Sequence, residues 1–248
     1  MPTQYSRPSS LILTLLPVLI SFSCSLQKPD SVSDLNSSQS SSTMQVIKHT
    51  LENGLTVYLS PNHETPRFYA EIITRAGSKH DPKTNTGLAH YLEHLLFKGT
   101  QSFGTIDFEK EKPLLDEISS LYEQRSKEQN ETKRQEIYTQ INKISIEAST
   151  FAVPNEMDRV YGNMGGQGIN AHTWHEETVY KVDLPANRLI HWAKIESERF
   201  ANPVFRLFHT ELETVYEEKN RSIDNKDRLL NREVNSLLFK VHPYGQQS

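Results

Sequence analysis

The chain has 248 residues, 35% of them hydrophobic and 23% charged, with a formal net charge of -4. That is enough apolar material for one sizeable core or a large part of a two-domain enzyme, and it excludes a disordered or fibrous chain. The acidic balance and the lack of an arginine-rich stripe also exclude a nucleic-acid binder, since nothing supplies the basic field that counterion release requires.

Near the start, Leu11 to Ile20 is an apolar run behind a polar segment whose only basic residue is Arg7. It is shorter than the roughly 20 residues a bilayer span needs, so it reads as the apolar stretch of an export signal. The single cysteine of the chain, Cys24, follows it. Residues 1–24 are therefore expected to be a signal peptide of lipoprotein type. The protein would be exported by a bacterium and be periplasmic, or anchored to the membrane through a lipid on Cys24. Ser21-Phe22-Ser23 depart from the usual lipoprotein box, so plain secretory cleavage is the alternative. One cysteine permits no internal disulfide. Residues 25–44 are dominated by serine with almost nothing apolar, which predicts a disordered linker.

From Gln45 the pattern turns to period two. Val46 to Leu51 and Leu55 to Leu59 read as strands, and Asn53-Gly54 between them is a hairpin signal. A third strand is expected from Phe68 to Thr74, ended by Gly77-Ser78. A helix follows from about Thr86 to Phe97, apolar on several sides and so mostly buried. Residues 106–152 are helical and amphipathic, with a polar break at Ser126 to Glu131 that makes a helical hairpin the simplest reading. Alternation over Ile169 to Tyr180 predicts an edge strand and its neighbour. Asn187 to Phe200 and Phe205 to about Lys219 read as helices, the second continuing in broken form to Phe239. There is no internal repeat.

The chemistry centres on His90-Tyr91-Leu92-Glu93-His94. Residues four apart on a helix are rotated by roughly 40° and lie one above the other, so both imidazoles face one side as a two-toothed metal grip. Glu93 lies on the same side, offset from the rings, where a carboxylate can take a proton from a water held by a metal. This order is the inverted form of the common zinc-peptidase motif. Two histidines four apart also occur by chance on exposed helices. Here, however, Leu88, Ala89, Leu92, Leu95, Leu96 and Phe97 surround them, and unpaired polar rings among apolar side chains would cost several kcal/mol. One zinc ion per chain is the expected partner.

Catalytic zinc takes three protein ligands and keeps one position open. The third is sought on the helix carrying Glu211, Glu213, Glu217 and Glu218. With Phe208, Leu212 and Val215 as its buried stripe, Glu211 and Glu218 flank that stripe while Glu213 and Glu217 point to solvent. Seven residues separate the two candidates by about 10.5 Å along the axis, so one ligates and the other supports it or lines the cleft. His172 and His175 are read as polar positions of the edge strand. His49, His63, His80, His191, His209 and His242 are read as isolated and structural.

Taken together, Arg75-Ala76-Gly77-Ser78, the run Thr86 to Thr100 around the histidine pair, Asn170-Ala171 ahead of Thr178-Val179-Tyr180, and Glu211 with Glu218 resemble the pitrilysin/insulinase family of metallopeptidases. The resemblance covers roughly Val46 to the end. It implies zinc ligands at His90, His94 and Glu218, Glu93 as general base, and Glu211 as the acidic residue that supports the site. It further implies that Asn170 and Ala171 hold an extended peptide substrate by its backbone. The implied fold is α+β, a mixed or antiparallel sheet packed against helices, with the helical hairpin as an insertion. Residues 45–248 would form an N-terminal zinc peptidase domain, incomplete at its C-terminal end, that works with a second-half domain or a homologous subunit. The expected function is zinc-dependent hydrolysis of peptides or unfolded segments. The competing expectation is a catalytically idle metal-binding homologue that serves as a partner subunit or is a remnant.

Overall fold

The computed structural model describes residues 45–246. The expected signal segment, the lipid-anchor residue Cys24 and the serine-rich linker lie outside the described residues. The chain divides into two compact units, one ending at Ser60 and the other beginning at Pro61.

In the first unit, β1 (Ile47–Thr50) and β2 (Thr56–Leu59) form an antiparallel hairpin in which Ile47 faces Leu59 and Thr50 faces Thr56. The connection is longer than the two-residue turn that Asn-Gly most often makes. It is closed by Leu51 N–H donating to Leu55 O at 2.8 Å, and Gly54 adopts a φ of 87° that residues with a Cβ avoid.

The second unit is built on a three-stranded antiparallel sheet in the order β3-β5-β4. These are β3 (Arg67–Thr74), β4 (Gln167–Thr173) and β5 (Thr178–Pro185). The sheet is thus antiparallel throughout. β5 runs five residues past the expected end at Tyr180 and is the central strand. Thr178, Val179, Tyr180, Val182 and Leu184 along it are all buried. Tertiary pairing on both edges carries it through Lys181 and Asp183, which interrupt the apolar pattern a sequence reading follows.

Helix α1 spans Leu88–Leu95, and α2 (Phe108–Lys127) with α3 (Glu131–Ser149) forms the expected hairpin, broken at Glu128 to Asn130. α4 (Glu156–Asn163) was not anticipated. Its eight residues include glycine and asparagine, yet Met157 and Tyr161 lie four apart and enter the core beside Val182 and Leu184. α5 (Leu189–Ala201) contributes the buried pair Glu196 and Arg199. Arg199 Nε donates to Glu196 Oε2 at 3.0 Å, Tyr161 donates to the same carboxylate, and the guanidinium lies 4.5 Å from the Tyr180 ring. Each buried charge is therefore partnered.

α6 (Phe208–Ile223) and α7 (Lys226–Leu238) close the chain. Just before α6, buried Arg206 makes a two-pronged pair with buried Glu111 of α2, Nε to Oε1 at 2.9 Å and Nη2 to Oε2 at 3.0 Å. Its remaining protons reach the carbonyls of Lys98 and Thr100, each at 2.8 Å, and of Phe103 at 3.3 Å. This one side chain fastens the hairpin and the loop after α1 to the start of α6. Two burial expectations fail. Leu88 and Leu92 of α1 are each 45% exposed, and Leu212 of the predicted α6 stripe is 47% exposed. Tyr216 of α6 and Leu230 and Leu237 of α7 are exposed as well. No described helix is long and apolar enough to cross a membrane.

Candidate active site

The start of α1 sets the position of the histidine pair. Gly87 precedes the helix with a φ of 97° and has no side chain to cap it. Asp81 takes over, its carboxylate accepting from Gly87 N–H at 2.6 Å and Ala89 N–H at 2.9 Å. The amides of Gly87 and Ala89 at the helix start are thereby satisfied by a carboxylate at its positive end. One turn on, the rings of His90 and His94 meet edge to face with centroids 4.9 Å apart.

Tyr91, on the buried side of α1, brings in α6. Its hydroxyl donates to Phe208 O at 2.6 Å and its ring packs on the Phe208 ring at 5.2 Å. Burial and the nearby Glu211 charge push the Tyr91 phenol well above its ordinary range, so it stays a donor. With α6 held there, Glu218 Oε2 lies 3.6 Å from His90 Nε2 and 3.6 Å from His94 Nε2. Two ligand atoms on a tetrahedral zinc, each about 2.1 Å from the metal, stand roughly 3.4 Å apart. Glu218 Oε2 thus stands near that spacing from each imidazole nitrogen, and two imidazoles with a carboxylate are donors that suit zinc. His90, Glu93 and His94 also offer atoms within 4.8 Å of one another. Glu218 Oε2 is equidistant from both nitrogens, whereas the Glu93 carboxylate accepts a hydrogen bond from β4.

Glu93 is buried, and its Oε2 accepts from Thr173 Oγ1 at 2.6 Å. Glu211 sits on the other flank, its Oε2 3.3 Å from His94 Nδ1 and its Oε1 paired with Lys98 Nζ. Burial alone would raise the Glu211 carboxyl, but the hydrogen bonds from His94 and Lys98 outweigh it and hold the group below the usual carboxylate range. The same hydrogen bond to Glu211 raises His94 against the opposing effect of burial, helped by the charges of Glu218 and Glu93. A carboxylate on Nδ1 turns Nε2 toward the metal position.

These groups line a cleft of about 390 Å³ together with Asn170 and Ala171. β4 pairs only with β5 among the described strands, so its other edge is open. Ala171 N–H donates to Asn170 Oδ1 at 2.9 Å. The structure thus gathers His90, His94, Glu93, Glu211, Glu218, Asn170 and Ala171 around one cleft. Glu213 and Glu217 are exposed.

Sequence reading missed Asp81, Tyr91, Lys98 and Thr173. Two of these carried a signal, since Lys98 follows His94 by one helical turn and Thr173 shares a strand side with Ala171. Three histidine readings change. His175 lies in the turn after β4, stacked on Tyr244 at 4.6 Å, His209 is not isolated but packs against Tyr122 and Tyr138, and His242 packs against Tyr244 and Phe239.

The sequence model for the family described as Insulinase (Peptidase family M16) matches residues 56–112, which contain the histidine pair. That stretch of the chain is similar to the insulinase family. An uncharacterized zinc protease of Rickettsia felis is 23% identical over 198 residues, covering 79% of this chain and 36% of that protein. The beta subunit of the mitochondrial-processing peptidase of Rattus norvegicus is 41% identical over 61 residues, covering 25% of this chain and 12% of that protein. The crystal structure of a protease from Helicobacter pylori superposes with a TM-score of 0.56 at 21% identity, over 82% of this chain and 37% of that one. That likeness shows a shared α+β fold. The chain spans just over a third of the length of the Rickettsia and Helicobacter proteins.

Proposed function

We propose that the chain is the metal-binding part of a zinc-dependent endopeptidase acting on peptides or unfolded polypeptide segments. The observation that carries this reading is Glu218 Oε2 standing 3.6 Å from the Nε2 atoms of both His90 and His94. Those three side chains would hold one zinc, and Glu211 would keep His94 turned toward it. Zinc bound there supplies Lewis acidity for the peptide carbonyl and lowers the pKa of water.

The remaining chemistry belongs to the chain itself. Glu93 accepts the proton of the attacking water and returns it to the departing amine. An extended peptide lies along the open edge of β4 at Asn170 and Ala171, where backbone hydrogen bonds give affinity without strict sequence choice. The far wall of the substrate chamber comes from a companion, either a second-half domain or a homologous subunit. The exposed apolar surface of α6 and α7 and the greater length of the relatives support that assignment. The reading extends to an exported bacterial protein, periplasmic or anchored by lipid on Cys24, on the strength of the apolar run at Leu11 to Ile20. Residues 45–248 form the peptidase domain in this scheme.

Metal analysis of purified protein tests the centre. About one zinc per chain is expected, lost on His90→Ala, and a chain without zinc would defeat the assignment. Cleavage of an unfolded polypeptide should disappear in Glu93→Gln with zinc retained. Cleavage that survives this change would remove Glu93 as the base.

A further inference from the structure

We infer that Thr173 is a positioning residue for Glu93, tying the proton acceptor to the same strand along which the peptide is proposed to lie. The inference rests on the peptidase reading for its functional meaning, but its structural content stands on separate observations.

Glu93 is only 6% exposed, and among the described residues no hydrogen bond other than the one from Thr173 reaches its carboxylate. The direction of that bond follows from counting protons. Thr178, itself buried, lies 3.3 Å from Thr173 Oγ1 and donates to Ala76 O at 2.9 Å. A hydroxyl carries one proton and an ionised carboxylate carries none. The Thr178 proton is spent on Ala76, so the Thr173 proton goes to Glu93 Oε2.

Oε2 is held by the Thr173 hydroxyl, while Oε1 accepts no hydrogen bond from the described residues. The anchor also sits two residues beyond Ala171 on β4, and successive residues of a strand alternate sides. Ala171 and Thr173 therefore share one side, so a peptide paired to β4 and the base that serves it are registered by one strand. Displacing a catalytic group by about 1 Å costs on the order of 100-fold in rate, and a hydroxyl at 2.6 Å on a buried carboxylate prevents such a shift.

Two measurements test this. In the zinc-loaded chain acting on an unfolded polypeptide, Thr173→Val is expected to lower kcat by roughly 10- to 100-fold with KM and zinc content unchanged. Thr173→Ser, which keeps the hydroxyl, should recover most of the loss. A Thr173→Val protein with the parent kcat, or a Thr173→Ser protein as impaired as Thr173→Val, would overturn the inference.

The second measurement needs no activity. In urea unfolding of the metal-free chain, Thr173→Val should shift the unfolding constant by about tenfold when Glu93 is present, and by much less in a Glu93→Leu background. Equal shifts in the two backgrounds would overturn the inference. Coupling found in a chain that binds no zinc and cleaves nothing would uphold the Thr173 to Glu93 link while rejecting the peptidase reading.

Discussion

Glu211 and Glu218 occupy one helix and make different contacts. Glu218 Oε2 faces the Nε2 atoms of both histidines, whereas Glu211 reaches His94 from behind, at Nδ1, with Lys98 on its second oxygen. Their substitutions should separate accordingly. Glu211→Ala removes only the orienting contact, so zinc affinity measured by chelator competition should fall by about 10- to 100-fold, the usual size for outer partners of a metal ligand. Glu218→Ala removes a proposed ligand and should weaken binding more than that. If the two losses come out alike, the division of labour is wrong.

At the scale of elements, α6 is held by the hairpin before it as well as by α1. Arg206 and Glu111 are both buried, and removing one member of such a pair leaves an uncompensated charge that typically costs about 3–5 kcal/mol. Arg206→Met should destabilise the chain by that order in urea unfolding. Arg206→Met combined with Glu111→Leu should recover a large part of the loss.

The hairpin meets α6 a second time where Tyr122 packs against His209. Burial lowers the His209 pKa, more strongly than the Glu213 charge raises it. A histidine whose folded pKa lies below its unfolded value, about 6.5, takes up its proton more readily when unfolded. Stability is therefore fully present above that pH and declines as pH falls through and below it. His209→Gln should flatten the dependence of the unfolding midpoint on pH in that window. An unchanged slope would show that other groups govern it.

For the molecule as a whole, metal and fold are linked by mass action. The proposed ligands come from helices more than a hundred residues apart in the chain, so the site exists only when the second unit is folded. Free zinc at 100 times its dissociation constant should add about 2.7 kcal/mol to stability. Thermal unfolding with and without a chelator checks this, and the effect should vanish in His90→Ala. A chelator that leaves the parent melting temperature unchanged would argue against zinc at this position.

Some of this architecture is local and therefore readable residue by residue. The spacing of His90, Glu93 and His94 fixes their common helix face, period-two alternation marks β1 to β3, and a polar break divides the helical hairpin, because each depends only on neighbours within a turn or a strand. Even Glu211 and Glu218 could be singled out from their angle to an apolar stripe. Other features needed the folded chain. α4 is short and weak in intrinsic preference and is held by what Met157 and Tyr161 pack against, and β5 continues to Pro185 because partners flank it on both sides. The exposure of Leu212 depends on which neighbours are present, and no pattern in its own helix reports that. The hydroxyl of Thr173 on Glu93 joins residues 80 apart in the chain, a distance over which periodicity carries no information and only packing brings two groups into contact.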